Sequence, residues 1–166
     1  MTASHVPVFT ISRHFAAPIE QVYEAWADLE KMVAWSGPAG STVELVSGEL
    51  AEGKTSISAT VMPGVDAMYS LCLWRELRRP HRVAWEQSFC TREGEKCSPP
   101  FFDEWPRTLL TEVDLAEAEG GTMLTLRWTP IEYDEAGLAM FVKQMASMEG
   151  GWGGSFAKLD AFLAQG

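Results

Sequence analysis

Apolar and polar residues alternate from Val8 to Phe15. Phe9, Ile11 and Phe15 fall on one face and Thr10, Ser12 and His14 on the other, the period of a half-buried strand. A helix is expected directly afterwards. Pro18 suits its first turn because the missing N–H would be unpaired there, and Glu20 sets a negative charge at the positive end of the helix dipole. Val22, Ala25 and Trp26 form its apolar stripe. Asp28 is placed to cap a second short helix carrying Leu29, Met32 and Trp35, which Ser36-Gly37-Pro38 ends.

From Thr42 to Ile131 the pattern has the period of strands, and turn residues punctuate it. The predicted strands are Thr42 to Glu49, Lys54 to Met62, Ala67 to Leu77, Arg82 to Phe89, Thr108 to Ala118 and Thr122 to Pro130. Short connections between successive strands give an antiparallel meander. The one long connection, Thr91 to Arg107, holds Pro99, Pro100, Phe101, Phe102 and Trp105 and reads either as a lid or as a loop packed on the sheet edge.

Asp134 to Ala164 is the one long helical pattern. Leu138, Phe141, Met145, Met148, Trp152, Phe156, Leu159 and Leu163 recur at spacings of three and four and form a single stripe. Such a helix spans roughly 45 Å at ~1.5 Å per residue. Gly150-Gly151-Trp152-Gly153-Gly154 interrupts its middle and should weaken it by ~4 kcal/mol relative to alanine. Two explanations are open: a close backbone approach to the sheet, or a bend beside a space that protein does not fill. The whole predicts one α+β domain over residues 1–166, with a curved antiparallel sheet of about seven strands wrapped on the last helix.

Composition narrows the function. Seven Trp and eight Phe in 166 residues are a heavy aromatic load. The formal net charge of −10 disfavours nucleic acid and anionic membrane surfaces as partners. The N-terminal stretch has neither the basic region nor the apolar run of a signal peptide or anchor, so a cytoplasmic location is expected. Cys72, Cys90 and Cys97 are odd in number and lack zinc spacing, which predicts free thiols, although a Cys90 to Cys97 bridge is sterically open. His5, His14 and His81 are scattered, no phosphate-binding loop or nucleophile elbow occurs, and no metal or cofactor is expected.

The order of elements is that of the helix-grip fold of the START-like (SRPBCC) superfamily. Within it the chain resembles proteins similar to the C-terminal domain of the activator of the ninety-kilodalton heat-shock chaperone's ATPase. The matching stretches are Ile11 to Pro18 leading into Val22-Tyr23-Glu24-Ala25-Trp26, then Trp35-Ser36-Gly37-Pro38, Arg75-Glu76-Leu77, Gly120-Gly121-Thr122 and Met148-Glu149-Gly150-Gly151-Trp152. The chain departs from the family pattern at Ser36, where an aromatic residue is common, and in one extra glycine before Trp152. It also has no counterpart of the activators' separate N-terminal domain, which turns the expectation away from a co-chaperone role.

The resemblance implies a cavity between sheet and helix that binds a small apolar or aromatic molecule. Its alternatives are a cofactor-independent enzyme of the cyclase or hydratase kind and a protein-interaction module, and a homodimer is compatible with the sequence. Alternation places Leu71, Leu73 and Leu77 inward together with Tyr69 and Arg75, and Val83, Trp85 and Phe89 inward together with Gln87. Thr111 shares the face of Leu109, Val113 and Leu115, and Gln144 borders the helix stripe. Glu86 is placed on the outer face, away from any acid–base role. The expected binding residues are therefore Trp26, Tyr69, Leu73, Arg75, Trp85, Gln87, Val113, Leu126, Phe141, Met145, Met148 and Trp152. Trp85 and Trp152 would serve as stacking walls, and Arg75 or Gln87 as the polar anchor of an uncharged or anionic ligand.

Overall fold

The alternation at the N-terminus becomes strand β1 (Phe9–Phe15), with Phe9 and Phe15 buried and Thr10, Ser12 and His14 exposed. Two short helices follow, α1 (Ile19–Ala27) and α2 (Leu29–Trp35). Pro18 is the residue just before α1, and the Asp28 carboxylate accepts the Lys31 N–H at 3.2 Å to cap α2. The computed structural model describes residues 6–99 and 102–165, so His5, Pro100 and Phe101 lie outside the described residues.

Six further strands form the meander: β2 (Thr42–Gly48), β3 (Thr55–Val61), β4 (Met68–Arg78), β5 (Arg82–Cys90), β6 (Thr108–Ala118) and β7 (Gly121–Glu132). The sheet order is β1-β7-β6-β5-β4-β3-β2, and every pairing is antiparallel. Helix α3 (Glu135–Ala164) closes the concave side. Its start is capped by Asp134, whose carboxylate accepts the Gly137 N–H at 2.7 Å. Phe141, Met148, Phe156, Leu159 and Leu163 bury its stripe against Phe15, Val83, Val113, Leu124 and Leu126. This is the helix-grip α+β fold.

The glycine run leaves α3 unbroken from Glu135 to Ala164. A Cβ added at Gly150, Gly151 or Gly153 would meet nothing within 4 Å, and one at Gly154 would meet Ala39 at 3.5 Å, an ordinary contact. Close approach to the sheet is therefore not the reason for the run. At Gly151 the helix borders space that protein does not fill.

A β-bulge in β4 has the largest consequence for function. Trp74 pairs with Trp85 and Glu76 with Ala84, so Arg75 is an extra residue without a partner in the register. Beyond the bulge Leu77 pairs with the fully buried Val83 and packs on the core, as alternation predicts. Before it the faces are exchanged: Met68, Ser70, Cys72 and Trp74 turn inward, and Tyr69, Leu71 and Leu73 turn outward. One inserted residue flips every side chain on one side of it.

Candidate functional site

Between the sheet and α3 lies a cavity of about 310 Å³. Its floor comes from alternate residues of adjacent strands: Ser58 and Thr60 of β3, Met68, Ser70 and Cys72 of β4, and Trp85, Gln87 and Phe89 of β5. Val43 of β2 and Trp128 of β7 close two sides. The roof is Met148, Gly151, Trp152 and Ser155 of α3, and the remaining wall is Trp26, Met32, Trp35 and the segment Ser36-Gly37-Pro38.

That last segment is fixed to the roof. Ser155 donates its hydroxyl to the Gly37 carbonyl at 3.0 Å, and the Lys158 ammonium donates to the carbonyls of Ser36 at 2.6 Å and Ser41 at 3.0 Å. Gly37 has φ +88°, and a Cβ there would stand 2.6 Å from the Ser41 hydroxyl, so the turn requires glycine. Burial pushes the Lys158 ammonium below its usual range.

Six of the seven tryptophans form one connected cluster. Trp26 lies at its centre, 4.7 Å from Trp35, 6.0 Å from Trp85 and 6.3 Å from Trp152 between ring centroids. Trp85 continues to Trp74 at 5.1 Å, and Trp152 to Trp128 at 5.5 Å. Trp35 donates its indole N–H to the Ala25 carbonyl, Trp74 to the Ser56 hydroxyl and Trp128 to the Thr111 hydroxyl. The indole nitrogens of Trp26 and Trp85 are buried and have no acceptor.

The wall bears no Asp, Glu, His, Lys or Arg among the described residues. Its one ionisable side chain is Cys72, a free thiol that burial pushes up to about 12 and so keeps protonated at neutral pH. Cys90 and Cys97 are free thiols as well. Among the described residues, no group of three or more His, Cys, Asp or Glu is placed to hold a metal ion, and no helix is long and apolar enough to cross a membrane.

Of the residues expected from sequence, Trp26, Trp85, Gln87, Met148 and Trp152 stand on this wall. Val113 and Leu126, paired across β6 and β7 and fully buried, belong to the packed core instead. Phe141 is buried beside Trp105, 5.9 Å between ring centroids, and Met145 packs on the core without reaching the cavity. The bulge corrects three of the expected binding residues, and with them the inward placement of Leu71. Tyr69 and Leu73 face outward, and Arg75 is exposed in the bulge with its guanidinium paired to Glu86 on the outer face. Arg75 is thus no anchor for a ligand in the cavity. Gln144 stays off the wall, and the Thr111 hydroxyl is occupied by Trp128.

The wall residues that alternation missed are chiefly Ser58, Thr60, Met68, Ser70 and Cys72. On β3 the polar residues Ser56, Ser58 and Thr60 turn inward, while Ile57, Ala59 and Val61 turn outward. The chain after β5 packs on the outer face: Gly94 lies against Ile57 of β3, and Arg92 sits over the Tyr69 ring of β4. No described residue of the long Thr91 to Arg107 connection lines the cavity; its Trp105 packs on Phe141.

A sequence model of the Activator of Hsp90 ATPase homolog 1-like protein family matches residues 16–164. Among solved structures, a protein from Arthrobacter aurescens superposes with a TM-score of 0.77 at 21% identity, covering 96% of this chain and 87% of that one. Protein Ms6760 from Mycobacterium smegmatis gives 0.75 at 20% identity over 94% and 90% of the two chains. The AHSA1 protein from Silicibacter pomeroyi gives 0.71 at 19% identity over 96% and 99%. At these identities the likeness is one of fold. None of the curated proteins compared with the chain matches it.

Proposed function

The chain belongs to the Activator of Hsp90 ATPase homolog 1-like protein family, and from that premise and its cavity we propose that it binds a small, largely apolar molecule between sheet and C-terminal helix. The observation that carries this reading is a cavity of about 310 Å³ walled by indoles, methionines and small residues with no charged side chain among the described residues. Ligand sites have this makeup, apolar walls with a few polar groups, and the volume sits at the low end of their range of roughly 300 to 1,000 Å³. A compact ring compound suits it better than a long flexible chain. Aromatic stacking adds roughly 0.5 to 1.5 kcal/mol per ring pair beyond the area buried.

The same wall argues for binding over acid–base catalysis. A general acid or base needs a group that titrates near the working pH, and a thiol held near 12 does not supply one. Glu86, the nearest carboxylate along β5, is on the outer face with Arg75.

A thermal-shift screen of compact ring compounds tests the reading. A ligand at 100 times its Kd adds about 2.7 kcal/mol of stability. At roughly 2 to 4 °C per kcal/mol for a domain of this size, Tm should rise by about 5 to 11 °C. Failure of every ring compound to raise the Tm of the folded protein would overturn it.

A further inference from the structure

The polar side chains of the cavity are not scattered. Ser58 and Ser70 stand directly opposite one another on β3 and β4. Gln87 pairs with Cys72 across β4 and β5, which makes it the diagonal neighbour of Ser70 on the same face. All three line the cavity, and none of their side chains has a hydrogen-bond partner among the described residues. Two hydroxyls and a primary amide therefore form one patch on the floor, able both to donate and to accept. The two unpaired indole nitrogens do not compete for this role, because both atoms are closed off from the cavity surface.

Charge is absent from the same surface. The Lys158 ammonium is not on the wall and is held by the backbone oxygens of Ser36, Gly37 and Ser41. An anionic group entering the cavity would lose its hydration without gaining a cation.

Resting on the reading that this cavity is a binding site, we propose that its ligand is an uncharged ring compound bearing a hydroxyl, carbonyl or amide group. That group docks on Ser58, Ser70 and Gln87, and the site rejects the corresponding carboxylate. The ring lies against the indoles of Trp26, Trp85 and Trp152, and the polar group points to the floor of β3 to β5.

Equilibrium dialysis at pH 7.5 with naphthalene, 2-naphthol and 2-naphthoate tests this on the full chain. Naphthalene reports on the cavity alone. 2-Naphthol should bind roughly 2- to 10-fold more tightly than naphthalene, the worth of one net hydrogen bond. 2-Naphthoate should bind about 100-fold more weakly than 2-naphthol, because its charge is desolvated unpaired. In a Ser58→Ala/Ser70→Ala/Gln87→Met variant the preference for naphthol should vanish while naphthalene binding persists; if that variant does not fold, each single substitution should reduce the preference. Equal binding of naphthol and naphthalene by the wild type overturns the polar-patch assignment, as does a preference that survives the substitutions or naphthoate binding as tightly as naphthol. Binding of none of the three overturns the cavity reading beneath it.

Discussion

Replacing Gly150, Gly151 and Gly153 together by alanine should stabilise the protein. All three lie within the unbroken helix α3, and a Cβ at each would meet nothing within 4 Å, so no steric cost offsets the gain in helix propensity. Glycine in a helix interior is worse than alanine by about 0.4 to 1 kcal/mol per site, largely through the freedom it retains in the unfolded chain. Three sites give roughly 1 to 3 kcal/mol, and at about 2 to 4 °C per kcal/mol Tm should rise by roughly 2 to 12 °C in scanning calorimetry. Gly121→Ala supplies the contrast, because its Cβ would stand 2.0 Å from the Phe15 carbonyl oxygen and must destabilise. The reasoning also separates stability from function. Gly151 borders the cavity, so Gly151→Leu should keep a stable helix while the side chain occupies ligand space and abolishes binding. A triple alanine variant no more stable than wild type would refute the argument, since it would mean that the run is not an ordinary solvent- and cavity-facing helix.

Two further predictions concern the indoles and the thiols. Trp74→Phe strands the buried Ser56 hydroxyl, whereas Trp85→Phe removes a donor that already lacks a partner; urea denaturation should show the first to be more costly by roughly 1 to 3 kcal/mol. Burial raises Cys72 to about 12 and Cys90 to about 11, while Cys97 is exposed. A chromogenic disulfide reagent at pH 8 should therefore modify Cys97 alone in the folded protein and all three thiols in guanidinium. Because these folded-state values are raised, their contribution to stability is intact below the ordinary thiol range near 9. It is lost as pH climbs from there towards 11 and 12, by at most about 1.4 kcal/mol per pH unit per thiol. Urea midpoints at pH 8 and 10 check the sign, and Cys72→Val should flatten the fall.

The fold was legible because its signals are local and repeated. Period-two strands with turn residues between them, the cap at Asp28 and the stripe from Phe141 to Leu163 each name one element, and together they fix the meander and the helix that closes it. The site was legible only where alternation ran uninterrupted. On β5 it placed Trp85 and Gln87 correctly. On β4 uninterrupted alternation sets Leu71, Leu73 and Leu77 on one inner face with Tyr69 and Arg75, and the bulge at Arg75 leaves only Leu77 of these turned inward. On β3 the binary pattern misleads for a different reason: a strand whose inner face borders a cavity can turn Ser and Thr inward, and Ile57 on its outer face lies against Gly94. Hydrophobic patterning finds protein packed on protein, and a binding cavity is where that rule is relaxed.

The central claim is that ligand enters the indole-walled cavity, and the seven indole N–H signals in an ¹⁵N-labelled sample test it most directly. Titration with 2-naphthol should move the signals of Trp26, Trp35, Trp85, Trp128 and Trp152, all on the wall, and leave Trp105 beside Phe141 in place. Saturable shifts confined to Trp105, or none at any indole while the compound stays in solution, would contradict it.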